Sequence, residues 1–208
     1  GTGNEATASL TINIDGSNDT PVITFLEGEE TGTVEEAGVD GSNAAINPDP
    51  TTATGVFAAD DVDSGDGSSG TALVWTAVPD VSQAAGGTAS EIAGVYGTFS
   101  VDQSGNWTFT LNNSDPDVQA LHDSESVSET FEVQVADDSG ATTTQGVTIT
   151  INGTNDAPVI AAVPMADTDV TEAGEGVPGD ATATGSFTAS DVDTGGADTT
   201  IWSITAVN

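Results

Sequence analysis

Residues 148–160 read TITINGTNDAPVI, and residues 11–23 read TINIDGSNDTPVI. Nine of these thirteen positions are identical at a spacing of 137, so the chain repeats itself. Each stretch opens with β-branched residues in alternation, Thr148-Ile149-Thr150-Ile151 in one and Thr11-Ile12-Asn13-Ile14 in the other, the pattern of a strand with one apolar face. Each then breaks into Gly, Asn, Asp and Pro, which is turn chemistry. The likeness continues outward with a slowly shrinking spacing. Val34-Glu35-Glu36-Ala37-Gly38 matches Val170-Thr171-Glu172-Ala173-Gly174, ATGVFAADDVDSG at 53–65 matches ATGSFTASDVDTG at 183–195, and Trp75 matches Trp202. The repeat divides the chain into the C-terminal strand of a preceding copy at 1–18, a complete copy at 19–156, and the N-terminal part of a following copy, truncated, at 157–208.

Inside the complete copy the local patterns are those of strands. Phe131, Val133 and Val135 share one face, and YGTFSV at 96–101 and NWTFTL at 106–111 flank Asp102-Gln103-Ser104-Gly105 as a hairpin would. One short helix is predicted at 115–121, with Asp115 as N-cap, Pro116 at the first helical position, and Val118 and Leu121 on one face. Phe57, Tyr96, Phe99, Trp107, Phe109, Phe131 and Val135 are the expected core, with Thr108 and Thr110 facing outward. Segments 40–52, 63–70 and 79–90 carry loop chemistry. Short strands separated by Gly, Asp and Asn turns predict an all-β fold of tandem Ig-like Greek-key β-sandwiches.

Charge sorts the functions. The 208 residues hold 34 Asp and Glu, no Lys, no Arg and no Cys, for a formal net charge of −34. Such a surface repels nucleic acid and anionic lipid, and no apolar run is long enough to span a bilayer. Disulfides are excluded, so stability must come from a core, a metal or a partner. Leu, Ile, Val and Phe make up 20% of the chain, at the edge where highly charged sequences cease to fold unaided. Divalent cations are the direct remedy, because a hard cation takes carboxylate and carbonyl oxygens and requires no basic side chain.

The acids gather at a few turns: Asp15 to Asp19, Glu35-Glu36, Asp60 to Asp63, Asp137-Asp138, Asn152 to Asp156, and Asp191 to Asp193. Extended backbone throws Asp61 and Asp63 to one side, and Asp191 and Asp193 likewise, so each Asp-Val-Asp offers two carboxylates to one point. Unrepeated acids such as Asp80 and Glu91 read as solvated.

DGSNDTP at 15–21 and NGTNDAP at 152–158 resemble the interdomain linker of cadherins, D-x-N-D-N-x-P, with Thr20 or Ala157 in place of the second Asn. The block YGTFSVDQSGNWTFTLNNSDPDVQALHDSESVSETFEVQVADDSG at 96–140 is similar to the VCBS repeat, a cadherin-like module strung in arrays through giant bacterial RTX and biofilm adhesins. The resemblance implies calcium between consecutive domains. It assigns Asp15, Asn18, Asp19, Asp61, Asp63 and Asp137 to one junction, and Glu36, Asn152, Asn155, Asp156, Asp191 and Asp193 to the other. The family's L-D-R-E acids have a loose echo in Leu121-His122-Asp123-Ser124-Glu125, and the linker's first Asp is Asn152 at the second junction. The implied function is a calcium-rigidified spacer of a secreted bacterial surface adhesin, with neighbouring repeats of the same chain as its partners.

Two other readings compete. A nucleophile system would have to use His122, the sole histidine, beside Asp123 and Ser124, and three consecutive residues cannot present a triad's facing geometry; paired carboxylates for glycoside hydrolysis stay open as a catalytic reading, although only ten aromatics suggest no aromatic-lined cleft. A ligand-binding sandwich recognising a glycan or a host protein through loop 79–90 is the alternative within the same kind of adhesin. The asparagines in N-x-[ST] positions, Asn18 and Asn152 among them, read as turn or ligand residues. The incomplete flanking copies predict disorder or head-to-tail self-association, the tail strand of one molecule completing the truncated unit of the next.

Overall fold

The computed structural model of the protein describes residues 3, 7–40, 44–45, 51–65, 73–78, 89–161, 170–176, 178–180, 182–193 and 201–203. Strands between Thr31 and Asn152 form a sandwich of two four-stranded sheets. One sheet orders β2 (Thr31–Glu35), β10 (Thr142–Asn152), β9 (Ser126–Ala136) and β5 (Val74–Val78); the other orders β3 (Thr52–Val56), β8 (Asn106–Leu111), β7 (Gly97–Asp102) and β6 (Ala89–Ala93). All pairings are antiparallel except β10 with β2, which run parallel in the register Thr148↔Thr31 to Asn152↔Glu35. The two longest strands carry the expected alternation, and in β10 Val147, Ile149 and Ile151, at every second position, are all fully buried. The nearly all-β architecture and the two packed sheets are as the sequence predicts.

The core lies between the sheets. Phe99 stacks on Trp107 and on Phe131, with centroids 5.8 and 4.8 Å apart, and Phe57 stacks on Trp75 at 5.8 Å. Phe57, Phe99, Trp107, Phe109, Phe131 and Val135 are buried as expected, and Trp107 Nε1 donates to the carbonyl of Glu29 at 2.9 Å. Tyr96 departs from the expectation: it is only partly buried, packed against the rim of the core beside the turn that opens β7. Trp75, Val147, Ile149 and Ile151 join the core instead.

The 96–111 hairpin forms around Asp102, whose Oδ1 accepts from the N–H groups of Ser104 and Asn106. Its Oδ2 accepts from the Asn106 amide at 2.8 Å, and this bond, ahead of the turn N–H groups, holds the carboxyl below the usual Asp range. Gly105 sits at φ +83°, and a Cβ there would lie 2.3 Å from the Phe57 carbonyl oxygen, so glycine is required twice over. The short helix α1 (Pro116–Gln119) starts where predicted: Asp115 Oδ1 caps the Asp117 N–H at 2.9 Å, and Val118 and Leu121 are buried.

Two smaller pairs flank the sandwich and repeat one another. β1 (Val22–Thr24) pairs with β4 (Ala58–Asp60), and β11 (Val159–Ala161) pairs with β12 (Thr188–Ser190) in the corresponding register. Residues 7–21 carry no strand, and Leu10, Ile12 and Ile14 are exposed. The expected loop at 40–52 lies outside the described residues over 41–43 and 46–50, and that at 63–70 over 66–70. The segment 79–90 lies outside them over 79–88, as does Asp80, whereas its last two residues belong to β6: Ser90 is buried and its hydroxyl accepts from the Ala77 N–H at 3.0 Å.

Candidate functional site

Both linkers fold into one local pattern because the same residues recur in the same order. At the first, Asn18 Nδ2 donates to the Asp19 carbonyl at 2.8 Å, the Asp19 N–H donates to Asp63 Oδ2 at 2.6 Å, and the Asp63 N–H donates to Asp61 Oδ1 at 2.9 Å. At the second, Asn155 Nδ2 donates to the Asp156 carbonyl at 2.7 Å, the Asp156 N–H to Asp193 Oδ2 at 2.7 Å, and the Asp193 N–H to Asp191 Oδ1 at 3.3 Å. The Asp-Val-Asp pair therefore clamps the linker backbone from the downstream side in each case.

At the second linker the sandwich adds its own groups. Glu36, the residue after β2, is fully buried; its Oε1 accepts from the Gln119 amide at 2.7 Å and its Oε2 from the Thr154 N–H at 3.3 Å. Burial, and then the nearby carboxylates of Asp156 and Asp193, push its acid up to about 7, against the opposing pull of the Thr154 N–H. Asp156 is also fully buried. Its Oδ1 accepts from the Val39 N–H, and its Oδ2, out of reach of water, has no hydrogen-bond partner. Desolvation, followed by Asp191, raises its acid above the ordinary value. The backbone locks the two sides together: Glu36 N–H to Asn152 O at 2.9 Å, Ala157 N–H to Val39 O at 2.9 Å, and Gly153 N–H to Glu125 O at 2.9 Å. A Cβ on Gly153 would lie 2.6 Å from the His122 carbonyl oxygen, so only glycine lets the linker lie this close to the loop after α1.

At the first linker Asp137 supplies the sandwich's contribution. Its Oδ2 accepts from Asn18 Nδ2 at 2.8 Å and its Oδ1 from the Ala141 N–H at 2.8 Å, and the Asn18 amide, foremost, holds its carboxyl below the usual range.

The structure thus gathers Asn18, Asp19, Asp61, Asp63 and Asp137 at one end, and Glu36, Asn155, Asp156, Asp191 and Asp193 at the other. Asn152 joins through its main chain, and Asp15 is exposed on residues that precede the cluster. Sequence reasoning missed Gln119, and gave no role to Asp123, whose Oδ1 accepts the Asn155 N–H at 2.9 Å. Asp123 stands in the loose L-D-R-E echo, beside Ser124 at φ 71°, a conformation non-glycine residues seldom adopt.

Among the described residues no three His, Cys, Asp or Glu side chains converge as a ready-made metal cage. The chemistry of the donor set nevertheless fits a hard cation. A fully desolvated carboxylate oxygen with no proton donor is costly to bury, and a chain with no Lys or Arg has no internal positive charge to offset it. The linker also carries carbonyl and amide oxygens, which are calcium ligands by type. His122 Nδ1 bonds the Asp123 carbonyl at 2.8 Å, and its Nε2 faces Glu125 at 3.5 Å. Among the described residues no helix is long and apolar enough to cross a membrane.

A family model described as the bacterial cadherin-like domain matches residues 18–153. Among solved structures, the crystal structure of the protocadherin GammaB4 extracellular domain aligns with 88% of this chain at 16% identity and a TM-score of 0.39. The chain spans 23% of the length of that protein. No curated protein matches.

Proposed function

This chain belongs to the bacterial cadherin-like domain family, and from that membership we propose that it is a calcium-stiffened spacer of a large bacterial surface adhesin, exported to the cell exterior. The single observation that carries the reading is the buried, unpartnered Oδ2 of Asp156 beside the buried Glu36 carboxyl in a chain without one basic side chain. Bound calcium would supply the positive charge that these groups lack. Glu36, Asn155, Asp156, Asp191 and Asp193 are the residues to hold it at the second linker, and Asn18, Asp19, Asp61, Asp63 and Asp137 at the first, with Asn152 contributing main chain and Asp15 at the margin.

The chain's own part is to bring carboxylates from both sides of a short linker to one place. A linker of a few residues between two sandwiches is otherwise a hinge. Ligands drawn from the upstream sandwich, the linker and the downstream Asp-Val-Asp stop that hinge together, since rotating either unit breaks the set. Extracellular modules of this kind bind calcium at about 10⁻⁴–10⁻³ M, so such an array stays slack in the cytosol and stiffens outside. The VCBS and RTX adhesin setting rests on the resemblance of residues 96–140. A non-catalytic role accords with the engagement of the His122 ring by its own neighbours.

Calorimetric titration with calcium tests the reading, with Asp191→Asn and Asp193→Asn changed together as the control. Binding with an affinity that falls at least tenfold in the double variant is expected, accompanied by a longer, stiffer particle in small-angle scattering. Identical scattering dimensions with calcium and with chelator would refute it.

A further inference from the structure

Asn152-Gly153 is the one Asn-Gly pair in the 208 residues, and it stands where β10 ends and the second linker begins. At such a pair a chain readily attacks itself, because glycine has no side chain to keep its main-chain nitrogen away from the preceding Asn side chain. The folded chain restrains both partners of that attack. The Gly153 N–H donates to the Glu125 carbonyl at 2.9 Å, and the Asn152 carbonyl accepts from the Glu36 N–H at 2.9 Å. Asn152 is extended within β10, in register with Ser126 on one side and Glu35 on the other. A Cβ on Gly153 would lie 2.6 Å from the His122 carbonyl oxygen, so the main chain here has no room to swing the nitrogen onto the amide carbon. Two further bonds close the linker over the pair, from Thr154 Oγ1 to the Glu36 carbonyl at 2.9 Å and from the Asn155 N–H to Asp123 Oδ1 at 2.9 Å.

We propose that Asn152 is a deamidation site which the closed linker joint protects, so that conversion at this residue marks a joint that has opened. In the opened chain the Gly153 nitrogen, its proton passed to water, bonds to the Asn152 side-chain carbonyl carbon; the bond from that carbon to Nδ2 breaks and ammonia leaves. Water then opens the five-membered imide at one carbonyl or the other, leaving aspartate or isoaspartate at position 152. Neither product reseats as asparagine does. Isoaspartate carries the main chain through the side-chain carbon and lengthens it by one methylene, where a single added Cβ on Gly153 already meets the His122 carbonyl. Aspartate keeps the main chain but adds a carboxylate to the outer face of the sheet: Ile151 and Val34 are buried, so Asn152 and Glu35, each the next residue and in register with one another, face outward together. Like charges on paired strands repel, and the chain has no Lys or Arg to offset them. The conversion is therefore one-way, and each product loosens the joint whose opening allowed it.

Incubating the 208-residue chain in mildly alkaline buffer with chelator, folded and in urea, and following position 152 by mass spectrometry tests this apart from any cation. Cleavage after glutamate isolates residues 133–172, which carry Asn152 and Asn155 on one peptide, so Asn155, followed by Asp156, is the internal reference. Conversion at Asn152 is expected to be at least tenfold slower in the folded chain than in urea, as for any group reached only through local opening. Asp123→Ala and Thr154→Ala each remove one bond over the pair and leave the Asn-Gly sequence intact. Each should raise the folded rate at least threefold, with the urea rate and the far-UV spectrum unchanged. Asn152→Asp should speed hydrogen exchange at the Glu36 and Gly153 amides by a similar factor. The comparison of the unaltered chain, folded against unfolded, stands even where a variant loses its fold. Equal conversion in the two states, conversion at Asn155 ahead of Asn152 in urea, or a folded rate that neither variant moves would each overturn the proposal.

Discussion

Thr148-Ile149-Thr150-Ile151 and Thr11-Ile12-Asn13-Ile14 differ at one position, yet the first is the centre of a four-stranded sheet and the second is bare chain. Ile149 and Ile151 are 0% exposed, whereas Ile12 and Ile14 are 72% and 90% exposed. The aromatic pairs repeat the contrast. Phe57 and Trp75 stack at 5.8 Å inside the core, and Phe187 and Trp202 stand 6.2 Å apart in the open. The same local sequence gives both outcomes, so strand formation here is a property of the partners. β9 and β2 satisfy the main chain of β10 on both sides, and the opposite sheet supplies the apolar ceiling.

Removing the aromatic ring at equivalent positions should separate the two environments most widely. Trp75→Ala is expected to destabilise the sandwich by about 3–5 kcal/mol, as large-to-small changes in a packed core do. Trp202→Ala should move the same unfolding midpoint by less than about 0.5 kcal/mol. Ile149→Ala against Ile12→Ala should repeat the result at about 2–5 against roughly zero. Denaturant titration of the monomeric chain reads both pairs, and equal losses within either pair would mean that the flanking segments fold as part of the sandwich.

A second contrast sharpens the argument at the level of turns. Gly105 and Gly140 both occupy the left-handed region, at φ +83° and +88°, but a Cβ on Gly105 meets the Phe57 carbonyl while one on Gly140 meets nothing within 4 Å. Gly140→Ala should therefore cost only the backbone strain, about 1–2 kcal/mol. Gly105→Ala adds a clash with main chain that holds Phe57 in the core, and about 2–5 kcal/mol is expected from strain and overpacking together. Thermal unfolding of the two variants ranks them, and a smaller loss at Gly105 would show that this hairpin yields more easily than its packing implies.

The sequence was legible wherever a pattern and its partner lay close together. The 96–111 hairpin, the Asp115 cap and the inward set of β9 follow from spacing alone, because the residues that decide them are a few positions apart. Tyr96 is only partly buried because it lies in the bend before β7 and not in the strand, so alternation along the strand does not govern it. The candidate site was legible to the extent that it repeats: Asn18-Asp19 and Asn155-Asp156, with their Asp-Val-Asp clamps, are visible by comparing the chain with itself. Gln119 and Asp123 have no counterpart within 208 residues, and their bonds to Glu36 and Asn155 join positions 83 and 32 residues apart that only the folded chain brings together. Asp15 and Asn152 stand in the matched linker motif, but Asp15 lies before the folded pattern begins and Asn152 ends β10, engaging through its main chain.

The two linkers offer the finest contrast, since proton affinity is shifted in opposite directions at their sandwich acids. Glu36 is raised from 4.5 to about 7, so below pH 4.5 it is protonated folded or unfolded and costs nothing. As pH rises from 4.5 through 7 the unfolded chain releases this proton first, and stability in chelator falls across that window. Asp156, also raised, acts in the same direction. Asp137 is lowered by its bond from Asn18, so its contribution is present above pH 3.8 and is lost as pH falls through the lower folded value. Chelated protein should accordingly be most stable in mild acid, near the point where Asp137 is ionised and Glu36 still protonated, and its Tm should drop by about 2–5 °C between pH 5 and 8, a small change for a domain of this size. Glu36→Gln should flatten that decline while leaving the acid limb in place, and Asn18→Ala should move the acid limb while leaving the decline. A profile in which Glu36→Gln changes nothing between pH 5 and 8 would mean that the buried carboxyl does not carry its proton there, and the difference between the two linkers would then reduce to their hydrogen bonds alone.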